Sequence, residues 1–446
     1  MARARSARLT LEGGFAGDDS STIPAGDYTA SSTDGRVRIE EAGSLKSRST
    51  RLTPVDFDTC RFTLHDVTIG IDFHWEQKEE QTFQGSVLLQ PGPDGLAVVN
   101  ELPLESYLIS VISSEMSASC PLELLRAHAI VSRSWFLANV FGENTKVVSD
   151  GALRETARNG TDSRGAGGGT GEIIRWYGRG THSGFDVCAD DHCQRYQGIT
   201  RAFSDTAFNT VRETRGQVLV FGDEICDARY SKSCGGVTEV YRSAWEDRDV
   251  PYLQSAYDGP GSPDGYAAPF TIEGHAERWI TTSPPAYCNT RSRELLERIL
   301  PGYDQKTHDF YRWRVDYSNE ELSEILHGRI GEDFGRLIAL EPLERGRSGR
   351  IVRLKIVGEK KSSVIGKELE IRRALSRSHL YSSAFVVRGE NDGASRYPRR
   401  FTLIGAGWGH GVGMCQIGAA VMADAGRSHE EIFTHYFRGT ALQTLY

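Results

Sequence analysis

The sequence has no hydrophobic run long enough to cross a membrane. Its 446 residues are 39% hydrophobic and 25% charged, with a mean hydropathy of −0.41, and no stretch approaches the roughly 20 apolar residues of a transmembrane helix. The first residues, MARARSARLTLEGG, are basic but lack the apolar segment of a secretory signal peptide. We therefore expect a globular chain with no transmembrane segment and no visible signal peptide, long enough for two or three cores.

The sequence also lacks an excess of positive charge and a dense set of cysteines. The net charge of −8 argues against nucleic acid as the main partner. Eight cysteines in 446 residues are too sparse for a disulfide scaffold. The chain shows neither internal repeats nor the histidine and cysteine spacing of zinc deaminases.

Strand-like and helix-like patterns alternate irregularly along the chain. Short alternating segments such as GRVRIEE and TFQGSVLLQ predict strands in the first 100 residues. Apolar spacing predicts two helices within residues 104–141, separated by SSEMSASCP. The last third mixes strands such as RIVRLKIVG with helices such as NEELSEILHGRI. We therefore predict an α+β fold with a small β-rich N-terminal region.

Glu115 is the first candidate for chemistry. It falls at the predicted end of the first helix, where the helix dipole disfavours a second negative charge. A partly apolar site would act in the same direction and keep the carboxyl group protonated near neutral pH. Such a carboxyl group can serve as a general acid. A solvated surface glutamate would fit the same spacing.

The segment HSGFDVCADDHC is the second candidate. His182, Cys188 and Cys193, with His192 beside the last cysteine, lie within twelve residues. Thiolates and imidazoles are ligands that suit zinc, and three of them leave a fourth position for water. A pair of free thiols or a Cys188–Cys193 disulfide fits the spacing equally well.

The third candidate is residues 407–418, GWGHGVGMCQIG, which contain five glycines. The segment lacks the Gly-Lys-Ser/Thr ending of a phosphate-binding loop. It starts where a predicted strand ends and stops where a predicted helix begins, so we expect a tight turn that presents polar groups. His410 and Cys415 could form a nucleophile pair. A cysteine in this position is more often a small buried side chain.

Two long segments resemble the SpoIID/LytB family of stage II sporulation protein D and the amidase enhancer. They are NELPLESYLISVISSEMSASCPLELLRAHAIVSRSWFLAN and GWGHGVGMCQIGAAVMADAGRSHEEIFTHYFRGTAL. The similarity runs from about residue 83 to residue 446. It implies a catalytic region at 83–446, with 259–345 as an inserted or peripheral subdomain, after a β-rich region of unknown role at 1–82. The implied fold surrounds a glycan-binding cleft.

The resemblance implies a lytic transglycosylase that cuts peptidoglycan between MurNAc and GlcNAc and leaves 1,6-anhydroMurNAc ends. The glutamate of the family's SEM segment corresponds to Glu115, the general acid and base. The zinc ligands of some members correspond to His182, Cys188 and Cys193, which implies one zinc ion per chain. Here the segment between the two cysteines is one residue shorter than in those relatives.

The resemblance also implies residues that contact the glycan. The family's Ser-Thr-Ser-Gly-Gly stretch, often preceded by histidine, reads SKSCGG here, with Ser231 in the histidine position and Cys415 where serine is usual. We expect His410 and Gln416 to bind sugar hydroxyl or acetamide groups, and Cys415 not to act as a nucleophile. The implied substrate contacts are Ser231, Ser233, Gly235, Gly236, His410, Gly411 and Gln416.

The implied partner is the peptidoglycan glycan strand, with or without its stem peptides, in the cell envelope outside the cytoplasm. Two other functions fit the same residues. One is a non-catalytic wall-binding protein that enhances a separate cell-wall amidase. The other is a zinc- or cysteine-dependent hydrolase of the amide bonds in the wall peptides.

Overall fold

A computed structural model provides the structure of the chain. The residues it describes are 6–41, 44–47, 50–71, 76–92, 95–141, 146–147, 153–154, 172–178, 184–202, 204–266, 269–302, 304–307, 309–391, 393 and 395–446. The chain divides into two compact units. Unit 1 comprises Met1–Ser119 and His182–Arg215, and unit 2 comprises Cys120–Thr181 and Gly216–Tyr446. The boundary expected at residues 82 and 83 stays a prediction.

Unit 1 is mostly β-sheet. Its strands are β1 (Ser6–Glu12), β2 (Phe15–Gly17), β3 (Thr22–Ile23), β4 (Gly26–Thr33), β5 (Arg36–Glu41), β6 (Ser44–Ser47), β7 (Arg51–Pro54), β8 (Arg61–Ile69), β9 (Gln77–Phe83), β10 (Ser86–Gly92) and β11 (Gly95–Glu101). They form one sheet in the order β6-β5-β4-β1-β8-β9 and another in the order β11-β10-β7-β2-β3. Both are built from antiparallel pairs, so side chains such as Val87 and Leu89 alternate into the core.

Two helices complete the described part of unit 1. Helix α1 (Leu104–Glu115) begins directly after Pro103, where a missing backbone N–H costs nothing. It ends at Glu115 because Met116 adopts an extended conformation, with φ −128° and ψ 169°. Helix α3 (Asp205–Glu213) is capped by the Ser204 side chain, which accepts from the Thr206 N–H.

Unit 2 contains the remaining helices and strands of the described chain. The helices are α2 (Leu122–Phe141), α4 (Glu273–Thr281), α5 (Arg293–Ile299), α6 (Asn319–Ile330), α7 (Glu368–Ala374), α8 (Gln416–Asp424) and α9 (His429–Tyr436). The strands are β12 (Lys146–Val147), β13 (Leu153–Arg154), β14 (Glu172–Ile174), β15 (Gln217–Phe221), β16 (Glu224–Ile225), β17 (Tyr230–Ser231), β18 (Arg312–Ser318), β19 (Leu337–Arg345), β20 (Ile351–Gly358), β21 (Ser362–Gly366), β22 (Phe385–Glu390), β23 (Arg400–Ala406), β24 (Met414–Cys415) and β25 (Ala441–Thr444).

The strands of unit 2 form several small sheets. Their orders are β13-β12-β16-β15-β25, β14-β21-β20-β19, β18-β23-β22 and the pair β17-β24. The pair β17-β24 is parallel, with Tyr230 opposite Met414 and Ser231 opposite Cys415. This pairing joins segments that are more than 180 residues apart in the sequence, and it organises the candidate site of unit 2.

Two hydrophobic clusters lie in the described part of unit 2. The larger lies among β18 to β23, α6 and α7, and includes the fully buried Leu322, Leu354 and Phe385. The smaller surrounds Trp279 of α4. Mixed helices and antiparallel sheets confirm the predicted α+β class. Among the described residues, no helix is both long enough and apolar enough to span a membrane.

Candidate functional site

Glu115 occupies the last position of α1 and is almost completely buried, with 7% of its surface exposed. Its Oε1 accepts a hydrogen bond of 3.0 Å from the backbone N–H of Arg195. The Arg195 side chain in turn forms an ion pair with Asp191. Glu115 is therefore not a solvated surface glutamate. The carboxyl group is enclosed, and one of its oxygens is anchored.

Tyr107 connects Glu115 with the cysteine segment. Its hydroxyl donates to Gln194 Oε1 at 3.0 Å, and its ring stacks on Tyr196 with centroids 5.2 Å apart. Burial raises the pKa of Tyr107 well above its usual range, and the nearby charges of Cys193 and Glu115 raise it further. The candidate acid and the candidate zinc ligands therefore lie near one another in unit 1, with Tyr107 close to both.

Cys188, His192 and Cys193 form a compact donor group. Nδ1 of His192 lies 3.9 Å from Cys188 Sγ and 3.6 Å from Cys193 Sγ. All three donor atoms lie within 4.8 Å of one another, and both cysteines are free thiols. Two thiols and an imidazole are the donors that zinc prefers, so the residues fit the implied ion. The predicted ligand His182 lies outside the described residues.

The predicted glycan contacts of unit 2 converge on the pair β17-β24. The Gly411 N–H donates to Ser231 Oγ at 3.2 Å, and Ser233 pairs with Trp408 through two backbone hydrogen bonds. The buried Ser233 Oγ has no hydrogen-bond partner among the described residues. The structure thus brings SKSCGG against GWGHGVGMCQ.

Gln416, also a predicted glycan contact, is buried with 1% of its surface exposed. Its Nε2 lies 3.0 Å from Nε2 of His128, and the Ser132 hydroxyl lies 3.1 Å from the other ring nitrogen. Burial, with a smaller contribution from Lys232, lowers the pKa of His128 to about 3. His128 is therefore a neutral buried partner of Gln416 at neutral pH.

The glycines of this turn accommodate the protein's own groups. Gly411 has φ +75°, and a Cβ placed there would lie 2.3 Å from the Arg350 guanidinium carbon. Gly413 has φ +72°, and a Cβ there would lie 2.1 Å from the Arg229 carbonyl oxygen. Both positions need the left-handed conformation and the missing side chain. Close packing against the Arg350 guanidinium and the Arg229 carbonyl therefore explains these two glycines without a ligand.

His410 is half-buried beside an aromatic group. Its ring meets Trp245 edge-on at 4.8 Å, and Trp245 stacks on Tyr241 at 5.0 Å. The Arg229 guanidinium lies 4.3 Å from the Trp245 ring centroid. Burial first, then the positive charge of Arg229, lowers the pKa of His410 well below its usual value. His410 is therefore a neutral hydrogen-bonding group at neutral pH.

Cys415 lies in a buried cluster with Cys234, Asp258 and Cys288. The donor atoms of these four residues lie within 4.8 Å of one another, so the cluster could hold a metal ion. Burial opposes ionisation of Cys415, but hydrogen bonds from Cys234 and Cys288 lower its pKa below its usual value. With 0% of its surface exposed, Cys415 is out of reach of a polymer substrate.

Residues 93–221 match the family model described as stage II sporulation protein, and residues 239–413 match a domain of unknown function. Stage II sporulation protein D of Bacillus amyloliquefaciens is 25% identical over 341 residues, which is 76% of this chain and 74% of that protein. The chain is thus a distant homologue of the SpoIID family, with the matched SpoIID region at residues 93–221.

Two further relatives extend the comparison. An uncharacterized protein of Brachyspira hyodysenteriae is 24% identical over 357 residues, covering 80% of this chain and 71% of that protein. The amidase enhancer of Bacillus subtilis is 23% identical over 266 residues, covering 59% of this chain and 36% of the enhancer.

The two matched regions of this distant SpoIID homologue divide the candidate residues. Glu115 and the donors Cys188 and Cys193 fall inside the stage II sporulation match. His410 falls inside the domain of unknown function, whereas Ser231 falls between the two matches.

Sequence reasoning missed several neighbours of these candidates. Arg195, Trp245, Asp258 and Cys288 carry no local motif and are brought to their sites by the fold. The sequence carried one indication of the buried cysteine cluster. Both SKSCGG and Cys415 depart from the family pattern, and the fold brings these two segments together.

Proposed function

We propose that this distant SpoIID homologue is a peptidoglycan lytic transglycosylase that cleaves the bond between MurNAc and GlcNAc, with Glu115 as general acid and base. The observation that carries the proposal is the buried carboxyl group of Glu115, anchored at Oε1 by the Arg195 N–H. Glu115 is also the residue that the family resemblance points to.

The chemistry needs one carboxyl group. Because Oε1 accepts the Arg195 N–H, a proton held by Glu115 lies on Oε2. That proton passes to the glycosidic oxygen as the C1–O bond breaks, and the leaving GlcNAc keeps it as a hydroxyl. The Glu115 carboxylate then takes the proton of the MurNAc C6 hydroxyl, whose oxygen bonds to C1. Glu115 is protonated again, and the product is an anhydro sugar formed without water.

The internal attack replaces the second carboxylate that ordinary glycosidases require. Hydrolysing glycosidases use a pair of carboxylates about 5–9.5 Å apart to handle water or a covalent intermediate. In a transglycosylase the nucleophile belongs to the same sugar ring, so its effective concentration is high without a second activating group. A single enclosed glutamate is therefore sufficient for this reaction.

The cysteine segment positions the acid. Arg195, whose N–H holds Glu115, lies two residues after Cys193. Zinc held by Cys188 and Cys193, with His182 or His192, would fix the loop that presents this N–H. The ion would supply a rigid cross-link between its ligands. In unit 2, the half-buried His410, with Trp245 beside it, is our candidate for a direct glycan contact. The other predicted contacts are buried and would support the turn that presents His410; they are Ser231, Ser233, Gly235, Gly236, Gly411 and Gln416.

The proposed substrate places the protein in the cell envelope. Peptidoglycan strands, with or without stem peptides, are the partner on which Glu115 would act. Purified strands of both kinds should be incubated with the protein, and their products analysed by mass spectrometry. We expect fragments that end in 1,6-anhydroMurNAc and are lighter by one water than the products of hydrolysis. Fragments carrying that water would contradict the proposal.

A second candidate is a wall-binding protein that enhances a separate amidase. The similarity to the Bacillus subtilis amidase enhancer favours it. Binding to the wall without glycan cleavage, together with faster peptide release by an added amidase, would support this function over the first. Release of peptides by the protein alone would instead identify an amide hydrolase.

A further inference from the structure

Four buried side chains of unit 2 form a donor set outside the residues of the proposed reaction. Cys234 follows β17, Cys415 belongs to β24, and Cys288 lies between α4 and α5. Asp258 completes the set, and its backbone N–H donates to the Gly236 carbonyl at 2.9 Å. At most 3% of the surface of any of the four residues is exposed. Their donor atoms lie within 4.8 Å of one another.

We propose that Cys234, Asp258, Cys288 and Cys415 bind one zinc ion that joins these loops of unit 2. The proposal does not depend on the transglycosylase activity, because none of the four residues takes part in it. Three thiolates and a carboxylate are a donor set that zinc accepts in four-coordinate sites.

The distance between the Cys234 and Cys288 sulfurs fits a single tetrahedral ion. With Zn–S bonds of about 2.3 Å, two sulfurs of a tetrahedral site lie about 3.8 Å apart. Cys234 Sγ and Cys288 Sγ lie 3.7 Å apart. Cysteines that bind different irons of an iron–sulfur cluster lie farther apart than the 4.8 Å within which all four donor atoms fall here, because irons and sulfides lie between them. A disulfide would require these two sulfurs to approach to about 2.05 Å.

The surroundings of the donors resemble the outer shell of a metal site. The N–H groups of Cys234 and Gly236 donate to Cys415 Sγ at 3.2 Å and to Cys234 Sγ at 3.4 Å. Asp258 accepts from the Tyr436 hydroxyl at 2.7 Å and from the Cys288 N–H at 3.0 Å. Such hydrogen bonds orient ligands and hold their negative charge.

Positively charged side chains lie beside the proposed ion. Zinc with three thiolates and one carboxylate carries a net charge of −2. Two guanidinium groups border the same loop: Arg350 donates to the Cys234 carbonyl and Arg312 to the Gly235 carbonyl, each at 3.1 Å. These two positive charges favour a negatively charged site, and Arg350 is shared with the nearby carboxylates of Glu368 and Glu239.

The test uses the full chain with the other candidate site removed. A Cys188→Ser/Cys193→Ser variant, purified without chelators, should retain about one zinc per chain by elemental analysis. After exchange with cobalt(II), it should show the charge-transfer absorption of three thiolates on a tetrahedral ion. Adding Cys415→Ser should remove the zinc or reduce the absorption to that of two thiolates.

Cys226→Ser is the matched control, because Cys226 is a fully buried free thiol of unit 2 outside the cluster. It should leave the zinc content unchanged. If the Cys415→Ser protein does not fold, native mass spectrometry of the Cys188→Ser/Cys193→Ser variant still decides the question. A folded variant without metal, or one with a Cys234–Cys288 disulfide, would overturn the proposal.

Discussion

Glu115 offers the sharpest test among single residues. In a Glu115→Gln protein, the amide oxygen can still accept the Arg195 N–H, so the fold should persist while the transferable proton is lost. We expect turnover of glycan strands to fall by roughly 10²–10⁴-fold, the usual contribution of general acid–base catalysis. The measurement is the rate at which anhydro ends form.

Glu105→Gln provides the control on the same helix, since Glu105 lies in the first turn of α1. It should leave the rate within a few-fold of the original. Near-normal turnover in Glu115→Gln would remove Glu115 from the mechanism.

The lowered pKa of His128 should make the stability of the fold depend on pH in the acid range. Its folded-state pKa of about 3 lies below the ordinary value of 6.5, so between these values the unfolded chain binds a proton that the folded chain excludes. His128 therefore does not affect the free energy of unfolding above pH 6.5. As the pH falls from 6.5 towards 3, protonation of the unfolded chain at His128 progressively destabilises the fold. One such proton changes the free energy of unfolding by up to about 1.4 kcal/mol per pH unit.

His128→Gln isolates this contribution because glutamine does not titrate and can still hydrogen-bond to Gln416. The variant should be less stable than the original chain at pH 8, and the difference should shrink between pH 6.5 and pH 5. Urea unfolding at each pH measures it. A pH-independent difference would show that His128 titrates normally.

Among the secondary-structure elements, the turn between β23 and α8 depends on Gly411. Gly411→Ala would force a left-handed alanine at a cost of about 1–2 kcal/mol. It would also place a methyl group against Arg350, for a further cost of roughly 1–3 kcal/mol. We expect a clear loss in the free energy of unfolding by urea.

Gly426→Ala separates the two costs. Gly426 has φ +80°, but a Cβ there would meet nothing within 4 Å. This variant should therefore show only the conformational cost. Equal losses in the two variants would mean that contact with Arg350 contributes nothing.

Several helices of this protein could be predicted from local sequence alone. The apolar spacing and the flanking residues located α1, α6 and α8 to within a few residues, because helical hydrogen bonds join near neighbours. The end of α1 at Glu115 was predicted for the same reason, and with it the position of the candidate acid.

The pairing of distant segments could not be predicted in this way. The parallel pair β17-β24 and the N–H of Arg195 at Glu115 depend on how the whole chain packs, and no local pattern encodes that packing. The same holds for Asp258 and Cys288, each of which looks like an ordinary loop residue in the sequence. Cys188 and Cys193 were recognised because they lie close together along the chain.

The whole molecule should lose zinc in two stages if both donor groups bind it. His192 is exposed and Cys188 and Cys193 are half-buried, whereas the four donors of unit 2 are enclosed. A chelator should therefore remove about half of the zinc quickly and the rest only as unit 2 opens. A coloured zinc indicator follows both phases.

The Cys188→Ser/Cys193→Ser variant should lack the fast phase and keep the slow one. Zinc released in a single phase from the unmodified protein would contradict the difference in burial between the two groups.

Unit 1 is made from two separate stretches of chain, and this order has a consequence during synthesis. Glu115 leaves the ribosome 80 residues before Arg195, the residue that anchors it. At bacterial or eukaryotic elongation rates of about 5–20 residues per second, the interval is roughly 4–16 s. During that time the nascent chain carries its proposed acid without the N–H that holds it. The proposed site around Glu115 therefore cannot be complete while the first stretch of unit 1 is being made, and the proposed wall-cutting activity would begin only after the second stretch has emerged.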